Sequence, residues 1–211
     1  MPLVIIGGHS RNIGKTSVVA GLIAALPEFA WTAVKITQYG HGVCSINGEA
    51  CGCTVDEHVF DISEEQDAGG RGDTCRFLAA GAARSLWVRA KQGRLAEVMP
   101  DLRRELAGSE NVIIESNSVL RFLRPDLYLT VLNPGVADFK ESAREFLDRV
   151  DAVIVHESAG DAARWEHVSL KPVAGLPMFR IRPPEYVTQE MVEFVRGRIG
   201  TRQVPATDSH G

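Results

Sequence analysis

No apolar run in the sequence approaches the roughly 20 residues that a bilayer span requires, so no transmembrane helix and no membrane partner are expected. The opening MPLVIIGG lacks the basic flank and the length of a secretory signal, and the expected location is the cytoplasm. Charge of one sign never gathers into a block: 23 Lys and Arg face 27 Asp and Glu, a net charge of −4. Nucleic acid is therefore not an expected partner. Cysteine is limited to Cys44, Cys51, Cys53 and Cys75, with no Cys-x-x-Cys pair. In a reducing compartment such a cluster argues for metal binding, redox chemistry or plain burial rather than a disulfide framework. Internal repeats are absent, and so is the Asn-Lys-x-Asp signature of guanine recognition.

What is present fits one core. A chain of 211 residues with 45% hydrophobic content has the size of one ordinary domain, expected over 1–200 with a frayed tail at 201–211. Residues 3–7 are short, apolar and β-branched, as in a buried strand entering a glycine turn. Val18, Val19, Leu22, Ile23 and Leu26 then recur at helical spacing and Pro27 ends the run, which predicts a helix over 15–26. A second strand is expected at 31–37. Periodicity then disappears, and about 38–72 reads as a functional insertion with turns or strands of its own. Asp73 is a candidate N-cap for a helix to Ala80, stopped by Gly81.

Further strands are expected at 85–90, 111–115, 127–132, 152–155 and 178–181. Helices are expected at 94–106, with Pro100 as a candidate kink, at 139–150 and at 188–198. Alternating strands and helices predict an α/β fold, a doubly wound, mostly parallel sheet covered on both faces.

The segment Gly8-His9-Ser10-Arg11-Asn12-Ile13-Gly14-Lys15-Thr16 carries the chemistry. A glycine turn between a buried strand and a helix lets successive backbone N–H groups face a phosphate, and the helix start adds partial positive charge. His9 occupies the position where the common phosphate-loop pattern has glycine, so the spacing from Gly8 is one residue longer. Gly8, Ser10, Asn12, Ile13, Gly14, Lys15, Thr16 and Ser17 form the candidate nucleotide-binding set. Lys15 would reach the β- and γ-phosphates and Thr16 would offer a hydroxyl to magnesium. Glu115 closes the apolar strand Val112-Ile113-Ile114, where a carboxylate can face the same crevice. Lys35 ends another apolar run and is either a third participant or a snorkelling strand lysine.

The long-spaced phosphate loop resembles that of dethiobiotin synthetases. Val34-Lys35-Ile36-Thr37-Gln38-Tyr39-Gly40-His41-Gly42 and Asp73-Thr74-Cys75-Arg76-Phe77-Leu78-Ala79-Ala80-Gly81-Ala82 are similar to two segments of the MobB adaptor proteins of molybdopterin-guanine dinucleotide biosynthesis. These are that family's lysine-histidine strand end and its acid-serine-x-arginine helix start. Both families belong to the SIMIBI class of P-loop NTPases. The resemblance implies a three-layer P-loop sandwich, magnesium, bound ATP or GTP, and a homodimer. It also implies catalytic roles for Lys15, Lys35 and Glu115, and a magnesium set of Thr16, Asp73 and Glu115. The departures are equally specific. Ser116-Asn117-Ser118 stands where both families have a glycine after the acid, the histidine cluster is reduced to His41, and Leu132-Asn133-Pro134 and Val155-His156-Glu157-Ser158 fill the places of base-reading loops.

Cys44, Cys51, Cys53 and Cys75 would suit zinc or an iron-sulfur cluster if their thiolates converge, with His41 and His58 as substitute ligands. Three functions follow. The first is a magnesium- and nucleotide-dependent accessory protein, a slow NTPase serving a cofactor-biosynthesis enzyme. The second is an ATP-dependent small-molecule ligase or kinase. The third is a nucleotide-switched metallochaperone or metal sensor.

Overall fold

Along each central strand the buried side chains alternate between two apolar clusters, one on each face of a single sheet. Val4, Ile6, Ala33, Ile113, Leu129 and Ile154 face one cluster, while Ile5, Val34, Val112, Ile114, Tyr128 and Val153 face the other. This is the two-residue period of a strand buried on both sides. The computed structural model describes residues 1–40, 59–157, 165 and 167–200. His41, Cys44, Cys51, Cys53, His58, Ser158 and the expected tail lie outside them.

Eight strands form the sheet: β1 (Leu3–Gly8), β2 (Trp31–Tyr39), β3 (Phe60–Glu64), β4 (Arg84–Lys91), β5 (Asn111–Glu115), β6 (Leu127–Leu132), β7 (Ala152–His156) and β8 (Met178–Ile181). Their spatial order is β3-β4-β2-β5-β1-β6-β7-β8. Every pairing is parallel except β3 with β4. Helices α1 (Lys15–Ala25), α2 (Asp73–Ala79) and α5 (Gln189–Gly200) contribute to the first cluster, and α3 (Leu95–Leu106) to the second. The short α4 (Glu141–Arg144) follows β6. From β1 the chain runs by way of α1 to β2 on one side, and β6 lies on the other side of β1. The end of β1 is thus a switch point, where an open α/β sheet leaves a crevice beyond its carboxyl edge.

Helix α1 has no charged residue after Lys15 and is buried through Val18, Val19, Leu22 and Ile23, as befits a helix enclosed on most sides. Its end is fixed by Pro27, which opens a short 3-10 turn, and by the Trp31 indole N–H, which donates to the Leu26 carbonyl at 3.0 Å. Helix α3 buries Leu95, Val98, Met99, Leu102 and Leu106 and runs through Pro100, which lies on its exposed side.

The stretch at about 38–72, expected to hold turns or strands of its own, contains the end of β2 and all of β3, an edge strand whose polar Asp61, Ser63 and Glu64 hide its position from a search for apolar runs. Two expectations change. Gly72, not Asp73, is the N-cap of α2, and Asp73 is its first residue. The helix expected at 139–150 shrinks to α4 and a 3-10 turn at Leu147–Arg149. Phe139 and Lys140 are drawn away by tertiary contacts: the Phe139 ring packs 5.2 Å from the His9 ring, and extended Lys140 donates its N–H to the His9 carbonyl at 2.8 Å.

Candidate phosphate-binding site

At the end of β1 the backbone itself requires glycine. A Cβ on Gly7 would lie 2.3 Å from Asn117 Oδ1 and 2.8 Å from the Tyr128 ring. Asn117 uses this proximity: its Oδ1 accepts from the Gly8 N–H and its Nδ2 donates to the Gly8 carbonyl, both at 2.8 Å. One side chain therefore grips Gly8 at both its N–H and its carbonyl, and it comes from the segment where the sequence shows only a missing glycine after the acid.

Beyond Gly8 the chain turns through left-handed conformations at Asn12, φ 54°, and Gly14, φ 86°. Asn tolerates that region and glycine enters it freely. Among the described residues the backbone N–H groups from Ser10 to Thr16 take no acceptor. Successive unpaired amides in such a turn form a concave nest for an anion, and α1 begins at its rim. The Lys15 ammonium arches back to the Ser10 carbonyl at 2.5 Å. Burial lowers its pKa, with Lys35 and Arg11 adding to the effect and Glu115 and Asp73 opposing it.

On the β5 side, strand register brings the charged groups together. Lys35 on β2 is directly opposite Glu115 on β5, and both point to the face that carries α1, because neighbouring Val34, Ile36 and Ile114 point to the other. Glu115 is only 3% exposed, so its charge has to be met inside the protein. The Thr16 hydroxyl donates to Glu115 Oε2 at 2.8 Å, and Lys35 Nζ contacts Glu115 Oε1 at 2.5 Å and Asp73 Oδ2 at 2.8 Å. Burial acts to lower the Lys35 pKa, but the two carboxylates outweigh it and hold it above the ordinary lysine value. Thr16, Lys35, Asp73 and Glu115 thus converge beside the loop.

The β6 side was not expected from the sequence. His9, fully buried, is held at both ring nitrogens: Nδ1 bonds the Asp138 carbonyl at 2.6 Å and Nε2 accepts the Asn133 N–H at 3.0 Å. These partners define the neutral tautomer with the proton on Nδ1. Burial lowers the His9 pKa. Its ring packs against Phe139 and Trp165, the latter at 4.9 Å. Ser10 Oγ donates to Asp138 Oδ2 at 2.7 Å. A histidine in place of glycine thus becomes a clasp between the loop and residues 133–140.

The other candidates fall nearby with different partners. Ser17 Oγ accepts from Arg76 at 2.9 Å, which places it toward α2. Ile13 is buried as a side chain, and its carbonyl bonds His156 Nε2 at 2.8 Å. The Tyr186 ring closes over Gly14, where a Cβ would come within 2.3 Å of it. Cys75 is a buried thiol that donates to Glu65 at 3.1 Å; burial, with Glu65, raises its pKa, an environment that disfavours the thiolate a soft metal needs. Among the described residues no three His, Cys, Asp or Glu side chains gather to hold a metal ion, and no helix is long and apolar enough to cross a membrane.

No family model matches the chain, and no curated protein matches it. Solved structures similar to it include HypB from Helicobacter pylori in complex with nickel, 15% identical over 99% of this chain and 90% of that one, with a TM-score of 0.48. Another is a MobB protein homologue from Bacillus stearothermophilus, 15% identical over 96% of this chain and 100% of that one, TM-score 0.44. A third is LpxK from Aquifex aeolicus in complex with ATP, 19% identical over 85% of this chain and 53% of that one, TM-score 0.46. With a glycine turn closing β1, a helix rising from it, and an acid at the end of the adjacent parallel strand β5, the chain has the α/β fold of P-loop NTPases.

Proposed function

We propose that this chain binds a nucleoside triphosphate, ATP or GTP, together with magnesium, and hydrolyses it slowly. The observation that carries the reading is the convergence at one crevice of unpaired amides from Ser10 to Thr16, the Lys15 ammonium, and the Thr16–Glu115–Lys35–Asp73 cluster. The donor set suits magnesium: a hydroxyl and two carboxylates are hard oxygen ligands, and Lys35 Nζ already places positive charge between the two carboxylates. Thr16, Asp73 and Glu115 would hold the ion, which supplies neutralisation of phosphate charge when bound.

The protein's own groups act by position and charge. The loop amides and the start of α1 bind phosphate oxygens without reorganising. Lys15, released from the Ser10 carbonyl, reaches the transferred phosphoryl group. Lys35, held between Glu115 and Asp73 at the edge of the loop, is placed to offer its ammonium to phosphate. Asn117 and His9 keep the loop in shape throughout.

The finer reading is an accessory role beside a cofactor-biosynthesis enzyme, in the cytoplasm and as a homodimer. It is supported by the MobB-like segments around Lys35 and Asp73. Its metal-handling variant depends on Cys44, Cys51 and Cys53, outside the described residues. Titration of the purified chain with fluorescent ATP and GTP analogues, with and without magnesium, tests the core of the proposal. Magnesium-dependent saturation by either nucleotide supports it, and binding by neither overturns it.

A further inference from the structure

Lys140 precedes α4, and its backbone N–H is fixed to the His9 carbonyl at 2.8 Å. The segment leading to it is pinned at Asn133 and at Asp138, through His9 and Ser10. The half-buried Lys140 side chain belongs to the same electrostatic cluster as Lys15, Arg11 and Lys35. No carboxylate forms an ion pair with Lys140 among the described residues: the nearby acid Asp138 takes the Ser10 hydroxyl, and Glu115 and Asp73 hold Lys35. Burial, then Lys15 and Arg11, push the Lys140 pKa down to about 8, with Asp138 opposing. A half-buried cation with no carboxylate partner, beside other cations, is stabilised when an anion joins them.

We propose that Lys140 is a ligand to the terminal phosphate of the bound nucleotide and sets the preference for triphosphate over diphosphate. This rests on the nucleotide reading above. The site belongs at the terminal end of the phosphate chain because Lys140 is grouped with Lys15, the lysine that reaches the β- and γ-phosphates of a phosphate loop. Lys140 lies in the segment that follows β6, whereas Glu115 ends β5 and Asp73 opens α2, so it contributes charge that the magnesium cluster does not. Because the clasp uses the Lys140 backbone and not its side chain, a side-chain substitution leaves the loop held.

The test compares the dissociation constants of the full chain for the β,γ-imido triphosphate and for the diphosphate of whichever nucleoside it binds, with magnesium at pH 7. The proteins are wild type, Lys140→Gln and Lys140→Arg. Lys140→Gln is expected to weaken the triphosphate analogue by about tenfold or more, the value of one charge-assisted hydrogen bond, and the diphosphate by less than about twofold. Lys140→Arg, which keeps the charge, is expected to retain most of the discrimination. Equal weakening of both nucleotides, or of neither, would overturn the assignment while leaving the nucleotide site in place. Failure of the wild type to bind either would instead overturn the nucleotide reading itself. A free anionic acceptor as the true partner of Lys140 would show as an unchanged ratio of the two constants, and that too overturns the proposal.

Discussion

On the β5 flank of the phosphate loop, side chains meet one another: the Lys35 ammonium and the Thr16 hydroxyl converge on buried Glu115, and Asp73 shares Lys35. On the β6 flank, neutral groups meet backbone: the His9 ring spans Asn133 and Asp138, and the Lys140 N–H closes on His9. In the proposed function the first arrangement exchanges partners, since Lys35 is held between its two carboxylates by charge. The second cannot, because each nitrogen of a neutral imidazole has one role and both are filled. The loop is therefore anchored on one side and adjustable on the other, which is the arrangement wanted where charge must arrive and leave without the cradle losing its shape.

Breaking the adjustable flank gives the largest effect. Glu115→Ala leaves Lys35 with the partly exposed Asp73 alone and is expected to destabilise the fold by about 4 kcal/mol, as for removal of one member of a buried pair, measured by urea denaturation. Adding Lys35→Met should recover a good part of that loss, because the uncompensated charge goes with it. No recovery would mean that Glu115 acts by packing and not by pairing. On the anchored flank, His9→Ala orphans the Asn133 N–H and opens a cavity beside Phe139 and Trp165, for a loss of about 3 kcal/mol. Asn117→Ala removes two hydrogen bonds to Gly8 and is expected to lose about 2 kcal/mol, together with weaker nucleotide binding. The smallest effect is a pH slope. The folded His9 pKa lies below its ordinary 6.5, so the unfolded chain binds the proton more readily. Stability contributed by neutral His9 is fully present above pH 6.5 and is lost as pH falls from there toward the folded value. Asp138 and Lys15 face the same ring and bias it in opposite directions. In His9→Phe this component of the slope should vanish; a slope unchanged from wild type would assign it to other groups.

The adjustable flank was legible in the sequence and the anchored one was not. β1, α1 and β5 announce themselves by continuous burial, helical spacing and terminal glycine or acid, and parallel register then carries Lys35 and Glu115 to the same edge. The clasp has no such signature. His9 reads as a spacing defect, Asn117 as a departure from a family pattern, and 139–150 as one amphipathic helix, because each is settled by contacts more than 100 positions apart in sequence or by a backbone group that any residue could supply. Asp73 has the profile of an N-cap, but Gly72 takes that place and frees its carboxylate for Lys35. The strand β3 escapes notice because edge pairing with β4 needs few apolar side chains.

In the proposed function the amides, Lys15 and the acidic cluster form one magnesium-nucleotide site. Isothermal titration of wild type and Lys15→Ala with ATP and GTP, each with and without magnesium, tests it most directly. Among the described residues the Lys15 ammonium hydrogen-bonds only the Ser10 carbonyl, so the variant should fold normally. Magnesium-dependent binding by the wild type is expected, with a loss of about a hundredfold in the variant, since two charge-assisted contacts to phosphate disappear. Equal affinity of wild type and Lys15→Ala for a nucleotide, or no binding by a folded wild type, would contradict it.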